Sequence, residues 1–209
     1  MTEGSASEKV MQLLLFGDLH GDQNATRRIA AQLKRVDYGF CLGDVVSFGQ
    51  GLSQALDLLD VGTEVYILPG NHETEAAMQR ACAAHPHFHY FHGQHVGLGT
   101  TTFSGLGGGV EASLGMPFEL SRDTASRLLR TFSKLPNLVL ISHTPPYDTA
   151  VDLARGGQHI GARSIRSFIL EAKPAAVYSG HVHEAEGKTD SLGSTPLRAV
   201  GRMGYTIET

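Results

Sequence analysis

The stretch Val10-Met11-Gln12-Leu13-Leu14-Leu15-Phe16-Gly17-Asp18-Leu19-His20 is an apolar run that stops on a glycine and then offers a carboxylate and an imidazole two residues apart. A short run of this kind, bounded by a turn residue, reads as a strand buried on both faces, here over residues 10–16. In a chain leaving a strand, alternate side chains lie on one side, so Asp18 and His20 can point at a common centre. A helix would need a spacing of three or four for the same purpose.

The pattern recurs downstream. A helix is expected over residues 25–36, with Ile29, Leu33 and Val36 at helical spacing behind the candidate caps Asn24 and Thr26, and then a strand over 38–42 that ends on Gly43-Asp44. A helix over 50–60, with Leu52, Leu56 and Leu59 on one face, leads to a strand over 64–68 that ends on Gly70-Asn71-His72. Next come a helix over 73–84, strands over 88–91 and 100–106, and a helix over 121–135 capped by Ser121. Strands over 137–141 and 175–179, separated by a helix over 162–172, end on Ser142-His143 and Gly180-His181-Val182-His183. Extended pieces at 185–188, 196–200 and 205–207 close the chain. Alternating βα units with a strand-only ending predict a mixed α/β fold in which two sheets pack together with helices outside.

Ligands of open α/β sheets collect beyond the carboxyl ends of the strands, so segments spread over residues 18–183 can meet at one site. Glycine before four of them allows a sharp turn and a close backbone approach. Asp18, His20, Asp44, Asn71, His143, His181 and His183 make seven oxygen and nitrogen donors without a thiolate. That is too many for one tetrahedral zinc ion and suits two divalent ions sharing a bridging carboxylate. Two carboxylates against two such ions leave a positive balance, which attracts a phosphate ester. The remaining histidines around Pro86, namely His85, His87, His89, His92 and His95, are expected at the surface. The glycine-rich residues 105–109 lack a helix-opening GxGxxG register and read as a loop flanking the cleft with Pro117 and Phe118.

Composition narrows the class. With 209 residues, 41 % apolar and 18 % charged, the chain fits one globular domain over residues 10–209 behind a small polar tail, residues 1–9. A net charge of −4 gives no general attraction to nucleic acid. The longest apolar run near the start, residues 13–16, is far short of the roughly 20 residues that span a bilayer. No export signal is legible, so a cytoplasmic location is expected, with Cys41 and Cys82 reduced and buried.

The joint motif set resembles the calcineurin-like metallophosphoesterase superfamily, whose pattern is Asp-x-His, Gly-Asp, Gly-Asn-His-(Asp/Glu), a lone His and Gly-His-x-His. The resemblance runs from Asp18 to His183. It implies a four-layer αββα sandwich with two mixed sheets and a binuclear centre. By the same resemblance Asp18, His20 and His183 would bind the first metal, and Asn71, His143 and His181 the second. Asp44 would bridge the two, and His72 would be the catalytic acid rather than a ligand. The ions implied are divalent transition metals, manganese first, with iron, zinc, nickel or cobalt as alternatives. The reaction implied is in-line attack of a metal-bridging hydroxide on a small phosphate ester, a phosphodiester such as a nucleotide or cyclic nucleotide. A nuclease of the same superfamily and a non-catalytic metal-binding scaffold are the alternatives. Phosphoprotein phosphatases carry Gly-Asp-x-x-Asp-Arg-Gly, whereas Gly43-Asp44-Val45-Val46-Ser47-Phe48-Gly49 lacks the second acid and the arginine, which disfavours a protein substrate. Residues 142–149 and 157–165 look like a small bacterial and archaeal branch near the cyclic-nucleotide phosphodiesterases. There, His159 and Arg163 are candidate substrate binders, Arg163 equally an exposed helix arginine. Glu73 is either an orienter of His72 or the cap of the helix that follows it.

Overall fold

The structure, a computed structural model, describes residues 10–112 and 114–209; the tail expected over residues 1–9 lies outside the described residues. Strand β1 (Gln12–Phe16) leads through helix α1 (Gln23–Leu33) to β2 (Tyr38–Cys41), α2 (Leu52–Leu59), β3 (Glu64–Ile67), α3 (Glu75–Ala83) and β4 (Phe88–Tyr90). Then follow β5 (His95–Leu98), β6 (Thr101–Leu106), β7 (Gly109–Val110), β8 (Glu119–Leu120), α4 (Arg122–Phe132), β9 (Leu138–Ser142), α5 (Arg163–Ala172) and β10 (Ala176–Ser179). A 3₁₀ turn at His183–Ala185 precedes β11 (Thr189–Leu192), β12 (Thr195–Ala199) and β13 (Tyr205–Glu208).

One sheet has the order β13-β1-β2-β3-β4 and the other β11-β12-β10-β9-β6-β5, with β7 and β8 forming a small ribbon. Both sheets are parallel inside and antiparallel at added edges: β13 on β1, β11 on β12 and β5 on β6. The four apolar residues of β1 explain the layering. Successive side chains alternate faces, so Leu14 and Phe16 pack toward Ile29 and Leu33 of α1, while Leu13 and Leu15 pack toward Phe103, Val139 and Ile141 of the second sheet. All four are 0 % exposed, and each contributes roughly 1.5–3 kcal/mol by burial. Phe40 stacks on Phe103 across the two sheets with ring centroids 4.7 Å apart. A third cluster joins the second sheet to α4 and α5 through Leu129, Phe132, Ile165 and Ile169. The layers are thus α, β, β, α.

Register places the strand ends level. Phe16 faces Cys41 and Cys41 faces Ile67 in the first sheet, and Ser142 faces Ser179 in the second. The segments that leave these strands therefore emerge at one rim.

Local departures from expectation have local causes. The first helix begins at Gln23, because the Asp22 carboxylate accepts the N–H groups of Asn24 at 2.8 Å and Ala25 at 3.0 Å. Asn24 and Thr26 thus lie inside the first turn rather than capping it. The third helix starts at Glu75 behind Thr74, not at Glu73. Strand β5 has no counterpart among the expected elements, since His95-Val96-Gly97-Leu98 carries only two apolar side chains and is held as an edge by β6. The piece expected to be extended over 185–188 begins in the 3₁₀ turn and gives way to β11.

Candidate metal centre

Each level strand end delivers its polar residues to one rim. Asp18 and His20 follow β1, Asp44 follows β2, Asn71 and His72 follow β3, His143 follows β9, and His181 and His183 follow β10. Backbone bonds tie the segments together: His20 N–H donates to Asp44 O at 2.9 Å and Gly180 N–H to His143 O at 3.0 Å. The sheets are joined by His143 Nδ1, which donates to Leu42 O at 2.8 Å, and by His181 N–H, which donates to Asp18 Oδ2 at 3.0 Å.

The glycines matter for approach more than for dihedral freedom. A Cβ on Gly70 would fall inside the Asp44 carboxylate, and one on Gly180 would meet Asp18 Oδ2 at 2.8 Å. Only Gly43 also needs its own φ of +100°, and a Cβ there would overlap Gly70. The ligand candidates carry the unusual backbone themselves: φ is +53° at Asp18, +47° at His20, +51° at Asp44 and +71° at His181. Residues with a side chain in this region store strain that a functional geometry sustains. Gly43→Ala is expected to destabilise the fold by about 4 kcal/mol or more, read as a lower urea midpoint at unchanged slope. A loss under about 1 kcal/mol would show that the approach of the two loops is loose.

Among the described residues three groups of donors result, each with its atoms within 4.8 Å of one another: Asp18, His20 and His183; His20, Asp44 and His72; and Asp44, His143 and His181. Asp44 Oδ2 lies 3.6 Å from His20 Nε2 and 3.5 Å from His143 Nε2, so one carboxylate faces donors on both sides. His143 Nε2 lies 2.9 Å from Asn71 Oδ1. Because Nδ1 of the neutral ring holds the proton for Leu42, Nε2 and the amide oxygen, as placed, present lone pairs to each other with no hydrogen between them. His20 Nε2 and His183 Nε2 approach to 2.9 Å, close enough for an N–H···N bond or for a shared ion. Converging lone pairs ask for a cation.

Electrostatics agree. Burial first, then the Asp44 charge, raises the Asp18 carboxyl well above its ordinary range. Burial is also the largest cause that lowers His20 and His143 to about 4 and His181 to about 3, so these rings are neutral near pH 7 and have a free lone pair. Among the described residues the ion pairs of Asp18 and Asp44 run to histidines alone. Buried carboxylates facing neutral imidazoles are short of positive charge, and divalent ions fit that need and this nitrogen and oxygen donor set. A cavity of about 460 Å³ opens beside the first group and is lined by Asp18, His20, His183, Leu19, Val200 and Arg202 among others.

Thr74, not Glu73, caps the helix, and the hydrogen bonds of the Glu73 side chain run to backbone N–H groups rather than to the His72 ring. Glu73 is 0 % exposed, and its carboxylate accepts the N–H groups of Asp44 at 3.2 Å, Val46 at 2.9 Å and Gly70 at 2.9 Å. Burial, followed by the Asp44 charge, pushes it up to about 8, and the three donors oppose that shift. Its role was hidden because its partners sit 29, 27 and 3 residues away.

His72 donates its backbone N–H to Asp44 Oδ1 at 3.0 Å, and its Nδ1 accepts the Phe48 N–H at 3.4 Å. His159 and Arg163 lie in none of the donor groups and do not line the cavity. His159 Nδ1 donates to the buried Asp152 at 2.7 Å, and the Arg163 guanidinium lies 3.7 Å over the Tyr147 ring. Of the histidines expected at the surface, His85, His87 and His89 are partly buried against Asp57, Asp60 and Glu64, and His92 is partly buried with Nδ1 accepting the Gly107 N–H at 2.9 Å. His95 is exposed.

A family model described as calcineurin-like phosphoesterase matches residues 11–185. The uncharacterized protein MJ1162 of Methanocaldococcus jannaschii is 27 % identical over 195 residues, which cover 90 % of this chain and 86 % of that protein. The structure is similar to that of TT1561 of Thermus thermophilus, with a TM-score of 0.73 at 16 % identity over 93 % of this chain and 91 % of the other. It is also similar to a dimetal phosphatase from Danio rerio, with a TM-score of 0.66 at 13 % identity over 94 % and 91 %. At these identities the two structures speak to the fold.

Proposed function

The chain belongs to the calcineurin-like phosphoesterase family, and from that premise we propose a two-metal phosphodiesterase acting on a small ester such as a nucleotide or cyclic nucleotide. The observation that carries the proposal is the Asp44 carboxylate, which faces His20 on one side and His143 on the other at 3.6 and 3.5 Å. In this reading Asp18, His20 and His183 hold one ion, Asn71, His143 and His181 hold the other, and Asp44 serves both. The absence of thiolates favours manganese or another ion content with nitrogen and oxygen ligands. When bound, such ions acidify water and neutralise phosphoryl charge.

The chain's own residues supply the rest. The Phe48 N–H at His72 Nδ1 leaves the ring proton on Nε2, where it can be given to the leaving oxygen. Arg163 is exposed and has N–H donors to spare for a phosphate oxygen, whereas His159 is engaged by Asp152. Residues 10–209 act as one unit in this proposal. Two buried free thiols, Cys41 and Cys82, fit a cytoplasmic location, and among the described residues no helix is long and apolar enough to cross a membrane.

The test joins elemental analysis to turnover of bis-p-nitrophenyl phosphate and of cyclic nucleotides. Two ions per chain are expected, with activity abolished by chelation and restored by Mn²⁺ but not by Ca²⁺, which prefers all-oxygen sites. A protein that takes up Mn²⁺ and hydrolyses no phosphate ester would overturn the reading. His72→Ala is expected to retain both ions while kcat falls about 100-fold or more on alkyl esters and less on p-nitrophenyl esters, whose leaving group needs no acid. Loss of an ion in this variant would instead make His72 a ligand, as its place beside His20 and Asp44 allows.

A further inference from the structure

Among the described residues Phe48 is the only exposed phenylalanine or tyrosine. The residue is 62 % exposed, and its backbone sits at φ +51°, a region that bulky residues rarely enter. Gly49 and Gly51 nearby have φ of +69° and +75°, so the loop already uses glycine where its turns need it. A ring that is both unburied and backed by an unfavourable dihedral contributes little to folding. Its partner lies at the metal centre: Phe48 packs edge-to-face on the His72 imidazole, with ring centroids 4.7 Å apart and planes at 73°. The Phe48 N–H at His72 Nδ1 and the Ser47 Oγ lying 3.4 Å from His20 Nδ1 fix the loop against the centre at adjacent residues. The ring is therefore held in place beside the group that faces the leaving oxygen.

We propose that Phe48 is a specificity-determining residue whose free ring stacks on a planar aromatic group in the leaving alcohol, so that the preferred substrates are nucleoside or aryl phosphate esters rather than alkyl ones. The inference rests on the reading of His72 as the acid at this site. Aromatic stacking is directional and tolerant of the identity of the partner ring, and it adds to the apolar contact that any hydrocarbon would make. An alkyl ester gains only the contact.

The experiment compares adenosine 2′,3′-cyclic phosphate and bis-p-nitrophenyl phosphate with glycerol 1,2-cyclic phosphate, using the Mn²⁺-loaded protein and its Phe48→Gly, Phe48→Leu and Phe48→Trp variants. Glycine suits the positive φ, so a folding defect does not confuse the result. Phe48→Gly is expected to raise KM for the aromatic esters about tenfold relative to the alkyl ester, with the change in KM rather than kcat, and Phe48→Trp to restore the preference. Phe48→Leu should resemble Phe48→Gly more than Phe48→Trp. A KM change confined to the nucleotide identifies a nucleoside as the ring's partner, and one confined to the nitrophenyl ester identifies an aryl group. Equal KM changes for all three esters, or a change in kcat alone, would overturn the proposal. Calorimetric binding of adenosine monophosphate gives an answer independent of turnover. Weakening by about tenfold in Phe48→Gly supports stacking on a nucleoside, and a measurable affinity that is unchanged in the variant refutes it. If the wild type hydrolyses nothing yet binds the nucleotide through Phe48, the esterase reading fails and the stacking site stands.

Discussion

Asp44→Ala is expected to abolish the binding of both ions and to lower kcat/KM for bis-p-nitrophenyl phosphate by about a thousandfold or more. The carboxylate is 2 % exposed and has two tasks. Its Oδ2 faces His20 and His143 at 3.6 and 3.5 Å, while its Oδ1 accepts the His72 N–H at 3.0 Å. Removing it takes away the charge shared by the two donor groups that contain it and leaves a backbone donor without its acceptor. Asp44→Asn separates the two effects, because the amide oxygen can still accept from His72 while the negative charge is gone. Loss of ions from both variants assigns the defect to charge, whereas loss from the alanine variant alone assigns it to the loop. Stability supplies a check of opposite sign. The Asp18 carboxyl is raised by burial and then by Asp44, so in metal-free protein its contribution is full below the ordinary carboxylate range and is lost as pH rises through the shifted value. Asp44→Asn relieves part of that repulsion, and metal-free Asp44→Asn is expected to melt above metal-free wild type at pH 7. Mn²⁺ should reverse the order, since only the wild type gains from binding. Two ions retained by Asp44→Ala would remove the basis of the shared-carboxylate reading.

The strand ends were legible in the sequence because burial on both faces leaves an unmistakable mark. Leu13 to Phe16 is apolar without alternation, which only a strand covered on two sides requires, and the next polar residues must then be at its end. The same logic located Asp44, Asn71, His143, His181 and His183 after their strands. Which donors share a group came from the family resemblance and not from the strand pattern, because it depends on the level register of β1, β2 and β3 and on the meeting of two sheets whose strands lie over 100 residues apart. Edge strands are also weakly marked: β5 pairs on one side only and needs no apolar run. The histidines from His85 to His89 looked like surface residues, yet their carboxylate partners Asp57, Asp60 and Glu64 come from a part of the chain that only the packing of α2, α3 and β4 brings near. Phe48 is the converse case. Nothing in the sequence around it marks the ring as exposed, and its left-handed backbone is one that no propensity predicts.

Glu73 carries the second large expected effect, on folding and metal binding together. Three buried N–H groups, from Asp44, Val46 and Gly70, end on its carboxylate, so it links the loop after β2 to the loop after β3. Glu73→Ala leaves all three without an acceptor and is expected to cost roughly 3–5 kcal/mol, which lowers the melting temperature of a chain this size by about 10 °C. Because Asp44 and Asn71 hang on the same loops, Mn²⁺ affinity should fall by about 10- to 100-fold with it. Glu73→Gln grades the effect. Oε2 accepts from Asp44 and Gly70 while Oε1 accepts from Val46, so an amide can keep the first two bonds and must lose the third. The metal-loaded proteins should therefore rank wild type, Gln, Ala in melting temperature and in affinity. Metal-free protein adds a pH signature. A carboxyl raised to about 8 contributes stability that is full below its ordinary value and gone by that pH. Metal-free wild type should accordingly lose more melting temperature between about pH 5 and about pH 8 than Glu73→Gln, which has no proton to release. Glu73→Ala that melts and binds Mn²⁺ like the wild type would mean that the two loops are held by β2 and β3 alone.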